Sequence, residues 1–421
     1  MLILHGTVVS YDQGLHVLHD GSVRIRRGLV ERVCPSSQAS EPEPQEERID
    51  AEGMLVMPGM VNLHTHLVRA VLRCGGGLDR DAESAWMSGE SALDYEGLRN
   101  ATLAGCAEAI QSGTTTAFDS VLAMPSTPYA LDCVAEAVLQ SGLRVCASCA
   151  TTDRYGVSEA RVGVDQNMRL GARRSPDGPL AAAMGLDLSV SVTDETLAAA
   201  VQGAALRDMG FHVAFREFHG LRQDGQPVGR PRHVFERLRR IGVLGPRTLL
   251  IHTGELADEE TLRVTNARSS LVHCPQSGVH SDIGIPDLRG MLERGLDVGV
   301  GTNGYTESVF REMYSLYLLH RVDAYSSRSL DIGHIVQMCL VNNARIASRA
   351  LRLPVGSLNA GAAGDVILVK GMDASLIRPE RLPSAFVMGM DCAQVDTTIV
   401  AGRLLMRHGE LKTLHADAIA R

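Results

Sequence analysis

The sequence predicts a (β/α)8 barrel carrying a small β-sandwich domain that both chain ends build together, and three observations carry that expectation. From about residue 57 to about residue 350, short apolar runs alternate with helix-length stretches, the pattern of β/α units around a parallel sheet. Both ends are strand-rich and punctuated by turn residues. The length of 421 residues holds eight such units with an appendage to spare, since a barrel takes roughly 250 residues. The expected division is 1–56 plus 351–421 for the composite β domain and 57–350 for the barrel that carries the active site.

Taken in order, Thr7-Val8-Val9-Ser10 and Ser22-Val23-Arg24-Ile25-Arg26 read as strands separated by Asp20-Gly21, which supplies the positive φ of a tight turn. Glu41-Pro42-Glu43-Pro44-Gln45-Glu46-Glu47 reads as an exposed loop. The barrel strands are expected at Met60–His64, Thr115–Asp119, Leu143–Cys149, Ala183–Val190, His212–Phe215, Thr248–His252, Ser270–Cys274 and Asp297–Thr302, with helices such as Thr127–Gln140 and Thr193–Asp208 between them. Asp365–Val369 and Thr397–Leu405 complete the terminal strands. Cys146 and Cys149 form a lone C-x-x-C within an apolar run, which without a second pair reads as strand packing.

Composition removes several function classes. With 41 Lys+Arg against 49 Asp+Glu the formal charge is −8, opposite to what coating nucleic acid or an anionic membrane needs. No apolar run approaches the roughly 20 residues that cross a bilayer. The N-terminus lacks a basic start and an apolar stretch, and nine cysteines fit reduced thiols, so the expectation is a soluble cytoplasmic protein. The expected partner is a small-molecule substrate, with no nucleic acid and no membrane.

The strongest local signal is Met57-Pro58-Gly59-Met60-Val61-Asn62-Leu63-His64-Thr65-His66. On a strand, positions i and i+2 share a side, so His64 and His66 face the same way at the end of the first barrel strand. Two imidazoples of this kind begin a zinc or iron site, which wants at least three protein ligands. The plain alternative is a hydrogen-bonded pair of core histidines.

Together with four further motifs, this segment resembles the amidohydrolase superfamily, in particular its aminohydrolase and chlorohydrolase branch acting on triazines, guanine, cytosine and adenosine-like rings. The others are Ala107–Thr116, His273-Cys274-Pro275-Gln276-Ser277, Gly299-Val300-Gly301-Thr302-Asn303-Gly304 and Val355–Gly361. The resemblance spans nearly the whole chain and implies a (β/α)8 barrel, a homodimer and hydrolysis of a non-peptide C–N bond in a small nitrogen-rich or cyclic substrate. It also implies a metal held by both histidines of H-x-H, a strand-five histidine and a strand-eight aspartate. A strand-five glutamate shuttles protons, and a strand-six histidine orients water or polarises the substrate.

Carried over position by position, His64 and His66 match the first pair, and His252 matches the strand-six histidine. Strand five, H-x-H-x-x-E in the family, reads His212-Val213-Ala214-Phe215-Arg216-Glu217 here, so Glu217 is kept and the ligand position is Ala214. Strand eight ends Gly301-Thr302-Asn303 where the family has Gly-Thr-Asp. Two of four ligands are therefore replaced. Ala214 has no donor atom, and Asn303 offers a neutral carbonyl that cannot take a proton from water. His219 and His280 are the side chains that a rewired site would draw on. No cofactor is assigned. Zinc on His64 and His66 is the one ion the chain would hold.

Catalytic candidates are thus Glu217, His252, His273 and Asn303, and substrate-binding candidates are His64, His66, Arg73, Trp86 and Gln276. Trp86, the sole tryptophan, reads either as a cap on an aromatic substrate or as packing under a loop. The alternative to hydrolysis is metal-independent acid/base chemistry, as in a lyase, cyclase or isomerase, with Glu217 beside an imidazolium. A catalytically silent ligand-binding relative is the third reading. Gly299–Gly304 also satisfies G-x-G-x-x-G, but it falls at the eighth strand of a barrel series rather than opening Rossmann units.

Overall fold

The computed structural model describes the chain except residues 12–13, 74–81, 123, 125, 174–177, 189–191, 216–233, 252–253, 281–284, 323–328, 372–376, 391–393 and 415–421. Glu217, His219 and His252 therefore lie outside the described residues.

The barrel strands fall at Met60–Thr65, Thr114–Leu122, Arg144–Ala150, Leu180–Asp187, Phe211–Ala214, Thr248–Ile251, Ser270–His273 and Asp297–Val300, each parallel to the next. Alternating side chains explain their near-continuous burial, because one face packs on helices and the other fills the interior. The fourth strand corrects the expected Ala183–Val190. It begins three residues earlier and is broken at Ala183, so that Leu180–Ala182 pairs with the third strand and Met184–Asp187 with the fifth. The small Ala181-Ala182-Ala183 run carries no strong apolar signal of its own, which hid the strand's start.

Helix limits follow local chemistry. The Thr193 hydroxyl accepts from the Thr196 amide at 3.2 Å and opens the helix Asp194–Leu206. Gly142, at φ 80°, ends the helix Ala130–Ser141 in the left-handed region. Cys146 and Cys149 are buried thiols on the third strand, where burial raises the Cys149 thiol to about 12. They pack rather than react.

Both termini form the β-rich domain. Leu55–Pro58 pairs antiparallel with Val366–Val369 and joins the N-terminal strands to the C-terminal ones in one nine-stranded sheet. The sheet curls over its own core of Ile3, Val23, Ile25, Val56, Val366 and Leu368. Gly364 N reaches Gly28 O at 2.7 Å, and Val30 N reaches Ala362 O at 2.8 Å, closing the curl. No described helix is long and apolar enough to cross a membrane.

The eighth strand meets the first without a ladder among the described residues, and a side chain stitches the seam. The Asn343 amide donates to Val61 O at 2.7 Å and Val300 O at 2.9 Å, and its oxygen accepts from Val300 N at 2.7 Å. Gly301 is needed beside it, since a Cβ there would stand 2.8 Å from the His64 backbone. Asn343→Ala strands three buried backbone groups and is expected to cost about 3 kcal/mol of unfolding free energy, read as a lowered urea midpoint at unchanged slope.

Candidate active site

At the top of that seam Thr302 N and Asn303 N both donate to His64 O, at 2.7 and 3.0 Å. Asn303 adopts φ 50° and Gly304 φ 76°, a left-handed pair that asparagine and glycine tolerate best. The turn brings the Asn303 side chain onto the imidazole of His64.

A chain of buried polar groups crosses the barrel interior from there. His64 Nε2 lies 2.9 Å from Asn303 Oδ1, and the Asn303 amide nitrogen donates to Ser277 Oγ at 2.7 Å. On its other side His64 Nδ1 lies 3.0 Å from His212 Nε2, and His212 Nδ1 lies 2.9 Å from Ser148 Oγ. His66 stands beside His64 with ring centroids 5.0 Å apart. Burial keeps His212 neutral by lowering its pKa to about 4.

Behind the first strand lies a second layer of charge. Thr65 Oγ1 donates to both Glu307 oxygens at 2.9 Å, and burial pushes that carboxyl well above the usual carboxylate range. Asp119, raised by burial to about 7, accepts from Leu67 N at 2.8 Å. Arg69 is fully buried, pairs with Glu90 at 3.1 Å, lies 4.9 Å over the Trp86 ring and donates to Asn303 O at 3.2 Å.

The candidates from sequence separate accordingly. His64, His66 and Asn303 come together, with His273 buried at the end of the seventh strand. Arg73 is turned to Glu108 and Gly304 O, so its guanidinium is committed to protein acceptors. Gln276 donates to Ser315 Oγ at 3.1 Å, and its backbone amide donates to Glu312 at 3.1 Å. Trp86 is 3% exposed and meets Tyr305 edge-on at 4.7 Å, while His280 stacks on the opposite partner of that pair, Tyr305, at 4.8 Å. Packing describes Trp86 as it stands. His212, Ser148 and Ser277 join this cluster and were not among the site candidates from sequence. The signal for His212 was its place two residues before Ala214, on the same strand face.

These residues do not fit a tightly held dication. Ala214 contributes no donor and Asn303 no charge, and both ring nitrogens of His64 are already bonded within the protein. Among the described residues no group of three His, Cys, Asp or Glu could hold an ion.

The comparisons fit this frame. The amidohydrolase family model matches residues 55–405. The 5'-deoxyadenosine deaminase of Methanothermobacter thermautotrophicus is 28% identical over 416 residues, covering 95% of this chain and 94% of that protein. The 5-methylthioadenosine/S-adenosylhomocysteine deaminase of Pelotomaculum thermopropionicum is 29% identical, covering 100% and 96%. Among solved structures, a zinc-bound adenosine deaminase of Xanthomonas campestris has a TM-score of 0.81 at 22% identity, covering 100% and 95%. The atrazine chlorohydrolase of Arthrobacter aurescens with zinc has a TM-score of 0.81 at 21% identity, covering 100% and 98%. The two solved structures share the fold. The chain belongs to the amidohydrolase family and is an enzyme of that class.

Glu312, whose backbone contact fixes Gln276, gives a pH dependence with a definite sign. Burial raises its carboxyl from 4.5 to about 8. Between those values the folded chain keeps a proton that the unfolded chain has lost, so this group lowers stability as pH rises through the window. Glu312→Gln removes the titration, and its urea midpoint should change less between about pH 5 and about pH 8 than that of the unaltered chain.

Proposed function

We propose that this enzyme acts on a non-peptide C–N bond of a small nitrogen-rich ring at the barrel mouth, with an adenosine-like purine as the first substrate class. The observation that supports this best is the end-to-end likeness to deaminases of 5'-deoxyadenosine and of 5-methylthioadenosine/S-adenosylhomocysteine. The strand-end histidines His64, His66 and His273 gather where such a fold handles its substrate. Glu217 and His252 are assigned proton transfer on the residues they match in the family, and Asn303 hydrogen bonding. Arg73, Trp86 and Gln276 are assigned to the walls of the substrate pocket. The composite β domain of 1–56 and 351–421, a homodimer and a cytoplasmic location complete the reading.

A second reading has its own observation. Asn303 cannot accept a proton, Ala214 cannot bind an ion, and His64 is engaged on both nitrogens. That donor set favours acid/base chemistry by side chains alone, through Glu217 and His252, in a lyase, cyclase or isomerase. Its step is transfer of a proton between these groups and the ring, with no hydroxide delivered.

Incubation with 5'-deoxyadenosine, 5-methylthioadenosine, adenosine and guanine, followed by mass analysis and ammonia assay, tests the first reading. Exchange of amine for hydroxyl with ammonia release is expected, and a panel bound but unchanged in mass would sink it. A product of unchanged mass but altered ring would favour the second. Metal dependence is checked separately. Ala214→His with Asn303→Asp should retain stoichiometric zinc after dialysis, whereas the unaltered chain should retain little. Equal retention by both would overturn the argument from the donor set.

A further inference from the structure

The N-terminal ends of the barrel strands, opposite the histidines, enclose a cavity of about 240 Å³. It lies where the third strand opens at Arg144 and the fourth at Leu180, and Leu351, Arg352 and Leu353 close its far side after the helix Asn343–Leu351. Pockets for drug-sized molecules take roughly 300–1,000 Å³, so this one suits a smaller occupant. Its innermost polar group is a guanidinium. Arg144 is 4% exposed, and it donates through Nε and Nη2 to the Asp365 carboxylate at 3.0 and 3.1 Å and through Nη1 to Gly178 O at 3.5 Å. A guanidinium carries five N–H groups, so two of them meet no acceptor among the described residues. A buried donor left unfilled is costly, and the cavity that Arg144 lines has room for an acceptor. The rim is charged as well. Arg352 stands at φ 56° and Asp208 at φ 50°, in the left-handed region that glycine holds with less strain. Their side chains pair at 2.7 and 2.9 Å, and Arg247 brings a second guanidinium to Asp208 at 2.8 Å. With Arg144 balanced by Asp365, these three arginines and two aspartates leave one positive charge on and behind the wall.

We propose that this cavity is a second ligand site, which takes a small carboxylate with an apolar body of a few carbons, its oxygens on the open N–H groups of Arg144 and its body against Leu180, Leu351 and Leu353. The surplus positive charge selects a monoanion over a cation or a neutral acceptor. Ala181 is half-buried between two buried neighbours on the fourth strand, and its small side chain leaves the space open. The ligand would rest on the Arg144–Asp365 pair, which ties the third barrel strand to the segment entering Val366–Val369. Asp365 Oδ1 also accepts from Ala401 N at 2.7 Å, so the same carboxylate holds a second stretch of the β-rich domain. Filling the cavity therefore tightens the joint between barrel and β-rich domain, and the ligand acts on stability. The site lies at the other end of the strands from His64 and His66, and it stands whichever chemistry those histidines serve.

Calorimetric titration of the full chain with hexanoate, and in parallel with hexanamide and hexylamine, tests the site. Hexanoate is expected to bind saturably and to raise the melting temperature, with the amide weaker and the amine silent. Ala181→Leu fills the space, and Arg352→Gly removes the rim guanidinium while suiting the left-handed backbone. Each should weaken hexanoate by about tenfold or more. If Ala181→Leu does not fold, Arg352→Gly carries the test by itself. Absence of saturable hexanoate binding, equal binding of hexanamide, or an affinity unchanged in the folded variants overturns the proposal. The readout is binding without turnover, so a failed deaminase assay and a failed cavity assignment are told apart.

Discussion

Two backbone amides on one carbonyl, Thr302 and Asn303 on His64, are the contact on which the rest of the site depends. A parallel barrel must bring its last strand back to its first, and among the described residues the register is kept by these two bonds and by Asn343 rather than by a ladder. Because the carbonyl belongs to His64, the joint that completes the fold also fixes where the first histidine sits. Because the second donor is Asn303, it fixes what that histidine faces. Gly301 must be glycine for the two chains to approach this closely.

From that joint the electrostatics follow. A carboxylate opposite His64 would bring a full negative charge into a region where burial already raises Asp119 and Glu307. Asparagine keeps the shape and the acceptor but removes the charge, and the polar chain from Ser148 to Ser277 can then be neutral throughout. The buried positive charge nearby is met elsewhere, by Arg69 on Glu90 and by Arg73 on Glu108. Arg69 still reaches the site, through the backbone oxygen of Asn303. The left-handed turn is thus held from both sides, by a guanidinium on its carbonyl and an imidazole on its side chain.

Much of this was legible in the sequence, for physical reasons that also mark where legibility ended. Seven barrel strands announce themselves as short runs rich in branched apolar residues, and the family motifs fall at their ends. The fourth failed at its start because three alanines in a row carry no strand signal. His64 and His66 were readable because alternate strand positions share a face, and Asn303 because the family resemblance carried its position over. His212 was read as part of a motif and passed over, since its contacts are with a serine 64 residues away in sequence and with a ring from another strand. Arg73, Gln276 and Trp86 were placed near the mouth by their loops, but no local pattern encodes whether a long side chain turns to substrate or to a neighbouring carboxylate. Glu217 and His252 belong to segments outside the described residues.

The likeness to nucleoside deaminases and the altered donor set pull on different parts of the molecule. Likeness over 95% of the chain reports on the frame: strand order, helix packing, the seam and the loops that surround the mouth. Chemistry at a C–N bond is decided by a handful of side chains, and two substitutions can change it while leaving the frame untouched. Hydrolytic replacement of an amine needs a nucleophilic water and a base to take its proton. Asn303 cannot take that proton, and in the proposed reading the duty falls to Glu217 or to an imidazole. Both ring nitrogens of His64 already lie within hydrogen-bonding distance of protein groups, Asn303 Oδ1 and His212 Nε2. In the proposed reading the burden shifts to Glu217, His252, His66 and His273.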